Sequence, residues 1–325
     1  MAPVDLMKIN SEELAKFLDS FDHVISDCDG VLWASEPLPG VGDFIKFMKQ
    51  IGKKVHFLSN NSIRSDENYS KFFKNAGIED GIENLTIPSK AIAEYLKSIN
   101  FDKHVYCVTC QETIKTLEAN GFKCKYGPDV GYDSFPKYGE YLVDDPEIGA
   151  VVFDSDYKVN MPKMYKAQAY LRRPEVLFIN GPTDKCTPGL TEELENYGRT
   201  NSLLKFRKRL QNNFVIIGVA AFTDLVAEYT GRTPIGLGKP SKLYGEIAMK
   251  RAGVTDASRV LFIGDMIEQD VALGKNVGFK TLLVLTHFTE EKMLAHTIQP
   301  DFYAPCLGSL VPILNKHGKK YLCNL

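Results

Sequence analysis

The chain has 325 residues, 44% of them hydrophobic and 25% charged, enough for two domains of ordinary size with a core in each. A formal charge of −2 excludes a bulk attraction to nucleic acid or to an anionic membrane surface. No apolar run approaches the ~20 residues of a membrane span, and Met1 to Ser20 lacks the basic-then-apolar order of a secretory leader.

Cysteine usage points the same way. Seven cysteines, an odd number without framework spacing, suit a reducing compartment, so a cytoplasmic location is expected. Cys107-Val108-Thr109-Cys110 is a lone CxxC with no second ligand pair, and it reads as two half-buried thiols rather than a zinc site.

In chain order, the first buried-strand signal is His23–Ser26, which runs into Asp27-Cys28-Asp29-Gly30-Val31-Leu32-Trp33. Alternate side chains of an extended segment share a face, so Asp27 and Asp29 point one way and Cys28 the other. Carboxylates that close repel each other and lose hydration when buried, which demands a cation between them or a held proton. Cys28 reads as a small packing residue behind the pair, with an oxidation-sensitive brake on activity as the alternative.

A helix is expected over Val41–Ile51, then a strand over Lys54–Leu58 leading into Ser59-Asn60-Asn61-Ser62, then a helix over Ser65–Ala76 stopped by Gly77. The middle of the chain has its own series. Ala91–Ile99, Thr113–Ala119 and Met161–Leu171 read as helices, and His104–Val108, Ala150–Phe153 and Val176–Ile179 as strands. Gly181–Gly189 reads as a loop, while Leu190–Asn213 is charged and stays unassigned; its cluster Lys205–Arg209 suits a solvated helix face. Further on, Gly236-Leu237-Gly238-Lys239-Pro240 precedes a helix over Lys242–Ala252, stopped by Gly253. A strand over Arg259–Ile263 leads into Gly264-Asp265, a helix follows over Gln269–Asn276, and a strand over Phe279–Leu285 leads into Thr286-His287.

Short β-branched and aromatic strands with little alternation suit a parallel sheet covered on both faces. The expected fold is therefore α/β: a doubly wound parallel-sheet domain built from residues 1–87 and 232–325, with a second α/β unit, residues 88–231, inserted into it.

Ligands of such sheets bind outside the carboxyl ends of the strands, where the polar clusters fall. Asp27, Asp29 and Asp265 form an oxygen-rich donor set for a hard cation, Mg²⁺ by preference. Ser59, Lys239 and the backbone N–H groups around Gly30 offer donors and positive charge to a tetrahedral anion. With the charge of a phosphoryl group offset in this way, Asp27 can attack phosphorus, and Asp29 can protonate the leaving oxygen and then deprotonate the attacking water.

Asp27-Cys28-Asp29-Gly30-Val31-Leu32-Trp33, Ser59-Asn60-Asn61-Ser62, Gly238-Lys239-Pro240 and Gly264-Asp265 with Asp270 resemble the four motifs of the haloacid dehalogenase (HAD) superfamily. The Asp-Gly-Val-Leu-Trp ending, Pro39-Gly40 and the Ser-Asn-Asn-Ser signature are similar to its 4-nitrophenylphosphatase branch, which includes phosphoglycolate and pyridoxal phosphate phosphatases. The resemblance implies a Rossmann-like core with an inserted C2-type α/β cap. It also implies Asp27 as nucleophile, Asp29 as general acid/base, and Mg²⁺ held by Asp27, Asp265 and the backbone carbonyl of Asp29. Ser59, Asn60 and Asn61 would hold the phosphoryl group and substrate, Lys239 would neutralise the phosphoryl oxygens, and Asp270 would brace Lys239 or the waters of the metal. An acid two positions after the nucleophile favours phosphoester hydrolysis over ion pumping.

The cap departs from its relatives. Gly218-Val219-Ala220-Ala221-Phe222 stands where relatives have a Gly-x-Gly-Ser-like turn, and Ile179-Asn180-Gly181-Pro182-Thr183-Asp184 where they often read Ala-Thr-Asn-x-Asp. Thr187 stands where pyridoxal-phosphate-type relatives carry a histidine, which argues against that substrate. The expected function is Mg²⁺-dependent hydrolysis of a small phosphorylated metabolite such as 2-phosphoglycolate or 4-nitrophenyl phosphate. Pyridoxal phosphate or phosphoprotein hydrolysis, and a catalytically silent phosphometabolite-binding protein, are the alternatives. No nucleic acid or membrane partner is expected, and the resemblance suggests a homodimer through the cap.

Overall fold

Two parallel sheets organise the chain in the computed structural model, which describes residues 2–129, 138–184, 186–187 and 216–317. The first strands are β1 (Val4–Asp5), β2 (His23–Ser26), β3 (Lys54–Leu58) and β4 (Leu85–Thr86). Those of the middle are β5 (His104–Val108), β6 (Lys123–Tyr126), β7 (Ile148–Phe153), β8 (Leu177–Asn180), β9 (Cys186–Thr187), β10 (Ile216–Ile217) and β11 (Ile235–Gly236). The last are β12 (Val260–Gly264), β13 (Lys280–Val284) and β14 (Phe302–Ala304). One sheet has the order β1-β14-β13-β12-β2-β3-β4 and the other β11-β8-β7-β5-β6, while β9 and β10 form an antiparallel pair.

The central strands carry the burial that their composition predicts. Every residue of β7 and of β12 is buried, as expected for strands covered on both faces. On one face of the larger sheet, Trp33 packs edge-on against Phe73 at 5.0 Å between centroids, and Phe57 lies 4.7 Å from Phe73. On the other face, Ile25, Leu58 and Phe262 share one apolar cluster with Leu96, Val105, Val152 and Ile179, so the second sheet is packed onto the first through a common core. Helix Pro88–Ser98 sits between them, touching both helix Gln111–Ala119 and helix Lys242–Arg251.

Strands β2 and β3 have the bounds expected from the sequence, and β12 and β13 differ by a residue at their ends. The second sheet reaches further along the chain than residue 231, because β11 pairs with β8 through Ile235 beside Ile179. The helix expected over Gln269–Asn276 begins instead as a π-helical turn, Ile267–Val271, followed by Ala272–Val277 in α conformation. The wider turn has a use: it brings Asp270 Oδ2 within 3.0 Å of the Asp265 N–H and 2.9 Å of the Met266 N–H. Leu190–Asn213, with the basic cluster Lys205–Arg209, lies outside the described residues. No helix among the described residues is long and apolar enough to cross a membrane.

Candidate active site

Strand β2 lies between β12 and β3, with Ile25 in register with Phe262 on one side and His56 on the other. The segments that leave these three strands at their carboxyl ends are therefore neighbours, and they open on one cavity of about 440 Å³. Asp27, Asp29, Ser59, Asn60, Asn61, Lys239 and Asp265 all line it. Segments after strands of the second sheet also line it, through Ser155, Tyr157, Pro182 and Asp184, together with Gly218 and Val219 at the start of helix Val219–Thr230.

The chain turn after β2 sets both acids. Gly30 has φ +82, a left-handed conformation that disfavours a side chain, and a Cβ there would fall 2.0 Å from Asp265 Oδ2. The turn is tied down by the Gly30 N–H bond to the Trp33 carbonyl at 2.7 Å and by the Thr286 hydroxyl, which donates to the Gly30 carbonyl at 2.7 Å. Cys28 is fully buried in the core cluster behind, so its side chain faces away from the cavity that Asp27 and Asp29 share. Burial first, and then the neighbouring carboxylates, push its thiol well above the ordinary cysteine value.

Each acid of the pair has its own cation. Lys239 Nζ lies 2.9 Å from Asp27 Oδ1 and 2.7 Å from Asp270 Oδ1. Burial works against the Lys239 ammonium, but the two carboxylates outweigh it and hold its pKa above the ordinary lysine value. Asp29 turns instead to Arg64, whose Nη1 lies 2.7 Å from it, and accepts from the Trp33 indole N–H at 3.2 Å. Asp27 Oδ1 also accepts from the Cys28 N–H at 2.7 Å, so Oδ2 is the oxygen left for chemistry.

Carboxylate oxygens of Asp27, Asp265 and Asp270 lie within 4.8 Å of one another, and all three residues are buried. Burial, then the sister carboxylates, push Asp27 well above the usual carboxylate range, and burial likewise raises Asp265. Three buried carboxylates face a single lysine, an excess of two negative charges if all are ionised. His287 Nδ1 stands against Asp265 Oδ2, while Asp265 Oδ1 is buried without a hydrogen-bond partner. An uncompensated, all-oxygen donor set with an orphaned carboxylate oxygen fits a hard divalent cation such as Mg²⁺.

The Ser-Asn-Asn segment lines the cavity and is also braced by the protein around it. Ser59 is 2% exposed, and its hydroxyl accepts from the Asn61 N–H at 3.1 Å and from Tyr69 at 3.3 Å. Asn60 braces the two halves of the site: its Oδ1 accepts from the Lys239 N–H at 2.7 Å, and its Nδ2 donates to Asp184 at 3.1 Å and Gln269 at 3.3 Å. Asn61 Nδ2 lies 3.5 Å from Asp29 Oδ2. Both amides line the cavity but make protein contacts, because the surrounding loops supply partners that the sequence does not reveal.

Arg64, His287 and Gln269 are functional-site residues that sequence reasoning missed. For His287 a signal existed, since Thr286-His287 ends a strand as the other site segments do. Among the described residues no other acid, histidine or cysteine cluster has metal-holding geometry, and Cys110 Sγ of the CxxC contacts the Ser62 carbonyl at 3.4 Å.

Comparison with known proteins places this geometry. Residues 24–123 match the model of haloacid dehalogenase-like hydrolases, and residues 236–310 match a second HAD-hydrolase-like model. The chain is 30% identical to phosphoglycolate phosphatase 2 of Arabidopsis thaliana over 323 residues, covering 97% of this chain and 99% of that one. It is 29% identical to a 4-nitrophenylphosphatase of Schizosaccharomyces pombe, over 92% of this chain and 96% of the relative. Among solved structures, p-nitrophenyl phosphatase from Archaeoglobus fulgidus superposes with a TM-score of 0.70 at 27% identity, over 91% of this chain and 100% of that one. A 4-nitrophenylphosphatase from Thermotoga maritima shares the fold with a TM-score of 0.70 at 23% identity, over 91% and 98% of the two chains. With a relative this similar along nearly its whole length, and with the four motif segments gathered around one cavity, the chain belongs to the haloacid dehalogenase-like hydrolases.

Proposed function

We propose that this protein is a Mg²⁺-dependent phosphatase of small phosphomonoesters of the 2-phosphoglycolate and 4-nitrophenyl phosphate type, working through an aspartyl-phosphate on Asp27. The observation that carries the proposal is the pairing of Asp27 with Lys239 inside a cluster of buried carboxylates, at the floor of a cavity roofed by the second sheet. Asp27, Asp265 and the backbone carbonyl of Asp29 would hold the metal, with Asp270 bracing Lys239. When bound, Mg²⁺ would offset the charge of the phosphoryl oxygens so that a carboxylate can approach phosphorus.

Asp27 Oδ2 forms a bond to phosphorus as the bond to the leaving oxygen breaks, and Asp29 gives its proton to that oxygen. In the second half, Asp29 takes a proton from water, the water oxygen bonds to phosphorus, and the acyl-phosphate bond breaks to return Asp27 and release inorganic phosphate. Lys239 stays protonated between Asp27 and Asp270 throughout and pairs with the phosphoryl oxygens, while Ser59 and Asn61 line the same wall.

Residues 1–87 and 232–325 form the catalytic unit in this reading, and residues 88–231, extended by β11, the cap that excludes water and contacts the leaving group. Cys28, Cys107, Cys110, Cys124 and Cys306 are free thiols, which accords with a cytoplasmic enzyme. Leu225 and Tyr229, one turn apart and exposed on cap helix Val219–Thr230, suit a homodimer through the cap, which sedimentation would test.

A hydrolysis screen over phosphorylated metabolites, with and without Mg²⁺, tests the activity. The expected result is metal-dependent release of phosphate from 2-phosphoglycolate and 4-nitrophenyl phosphate, lost in Asp27→Asn. Preference for pyridoxal phosphate or a phosphoprotein would reassign the substrate, and binding of phosphometabolites without turnover would make the chain a sensor.

A further inference from the structure

The segment after Asn61 turns its outer side to a second cavity, of about 420 Å³, bounded by helix Pro88–Ser98, helix Gln111–Ala119 and Arg251. Five cations line it, Arg64, Lys90, Lys97, Lys115 and Arg251, against the three carboxylates of Asp66, Glu94 and Glu112, in a chain whose net charge is −2. Three of the cations are matched within the wall. Lys90 lies 3.2 Å from Asp66, Lys115 2.7 Å from Glu112 and Arg251 3.4 Å from Glu94.

The other two are not matched there. Lys97 Nζ donates to the neutral amide oxygen of Asn120 at 2.6 Å, and Arg64 reaches out of this cavity to Asp29 in the wall of the first. Ser89, which also lines the second cavity, has a buried hydroxyl with no hydrogen-bond partner. The wall therefore combines one cation without a carboxylate, Lys97, one whose carboxylate lies in the other cavity, Arg64, and a spare hydroxyl donor, in a space of metabolite size.

We propose that this cavity binds a small dianion carrying carboxylate or phosphate groups, and that the bound dianion competes with Asp29 for Arg64. Lys97 meets one anionic group and Arg64 the other, with Ser89 as a further donor. The planar guanidinium favours such anions, and the partly exposed wall pairs are weak enough to rearrange around one. Since Arg64 serves both cavities, occupancy of the second loosens its hold on Asp29, and Asp29 by the same linkage weakens binding in the second.

Equilibrium dialysis of the full chain with radiolabelled sulfate at low salt, in the presence of Mg²⁺, tests this. The wild type should bind sulfate at two sites per chain, the active site and this one. Lys97→Ala should remove one site while 4-nitrophenyl phosphate hydrolysis stays at the wild-type rate. Asp29→Asn, which takes the competing charge away from Arg64, should tighten that same site by about threefold or more. Equal sulfate binding by the wild type and Lys97→Ala, in number of sites and in affinity, would overturn the binding site. Unchanged affinity in Asp29→Asn would overturn its coupling to Asp29. Because the readout is the sulfate site that Lys97→Ala removes, rather than turnover, its loss or survival is separate from the hydrolysis reading.

Discussion

Arg64 places its Nη1 2.7 Å from the Asp29 carboxylate, so the second acid of the Asp27-Cys28-Asp29 run has a cation of its own and does not share Lys239. The guanidinium is fixed from behind by the Phe72 ring, whose centroid lies 4.7 Å away. In the proposed mechanism this pairing would orient Asp29 for proton transfer. Arg64→Ala should lower kcat for 4-nitrophenyl phosphate by about tenfold or more while KM moves by less than about threefold. Arg64→Lys should recover only part of the loss, because an ammonium neither forks to a carboxylate nor stacks as a guanidinium does. Wild-type kcat in Arg64→Ala would mean that the contact is idle.

Asp27 and Lys239 separate chemistry from stability. Asp27→Asn removes one of three buried carboxylates and leaves Lys239 paired with Asp270, so the metal-free protein should melt at or above the wild-type temperature. Its turnover should still fall by about a thousandfold or more, since the proposed nucleophile is gone. Lys239→Met does the opposite to the fold: it leaves Asp27 and Asp270 buried beside each other without their cation, at a cost of about 3–5 kcal/mol. Urea midpoints and phosphate release, measured on both variants, check the contrast.

Gly30 is required on two counts, its φ of +82 and the 2.0 Å that would separate an added Cβ from Asp265 Oδ2. Gly30→Ala therefore strains the turn by about 1–2 kcal/mol and displaces a proposed metal ligand. The Mg²⁺ concentration for half-maximal activity should rise by roughly tenfold or more, in line with losses on disturbing the surroundings of a metal ligand. A variant with the wild-type Mg²⁺ requirement would show that Asp265 does not hold the ion.

Tyr157 enters the cavity from the second sheet with 83% of its surface exposed, a roof position open to the leaving group. An aromatic leaving group gains a ring contact there that a glycolate does not. Tyr157→Ala should raise KM for 4-nitrophenyl phosphate by about fivefold while KM for 2-phosphoglycolate holds within twofold. Equal shifts for both substrates would remove Tyr157 from substrate choice.

The legible part of this molecule follows from burial. Strands such as Val260–Gly264, paired on both sides in the sheet, leave continuous apolar runs that a reader of the sequence can bound to within a residue. Strands of two or three residues, Val4–Asp5 at the sheet edge and Phe302–Ala304 next to it, are too short to carry any period and exist only because neighbours pair with them. The same division runs through the site. Asp27, Lys239 and Asp265 are legible because polar residues at strand ends are out of keeping with the strands before them. Arg64 looks like any solvated loop cation until the turn at Gly30 aims Asp29 at it. Asn60 is legible as a polar residue after a strand, but its contacts with Lys239, Asp184 and Gln269 come from segments far away in sequence.

His23 and His56 lie on the neighbouring central strands β2 and β3, with their rings stacked at 6.0 Å between centroids. His23 Nδ1 and His56 Nε2 are buried without hydrogen-bond partners. Burial, followed by His23 and Lys54, lowers His56 to about 4, with only Asp80 opposing. A histidine with a depressed folded pKa costs the native state nothing while it is neutral in both states, above about pH 6.5. As pH falls from about 6.5 toward 4, the unfolded chain takes up the proton first, and stability drops across that window. Partial exposure of His56 discounts the full linkage value to about 2 kcal/mol. Urea denaturation at pH 7 and pH 4.5 should show that loss in the wild type and a clearly smaller one in His56→Leu. Parallel pH profiles for the two proteins would assign the acid sensitivity to other groups.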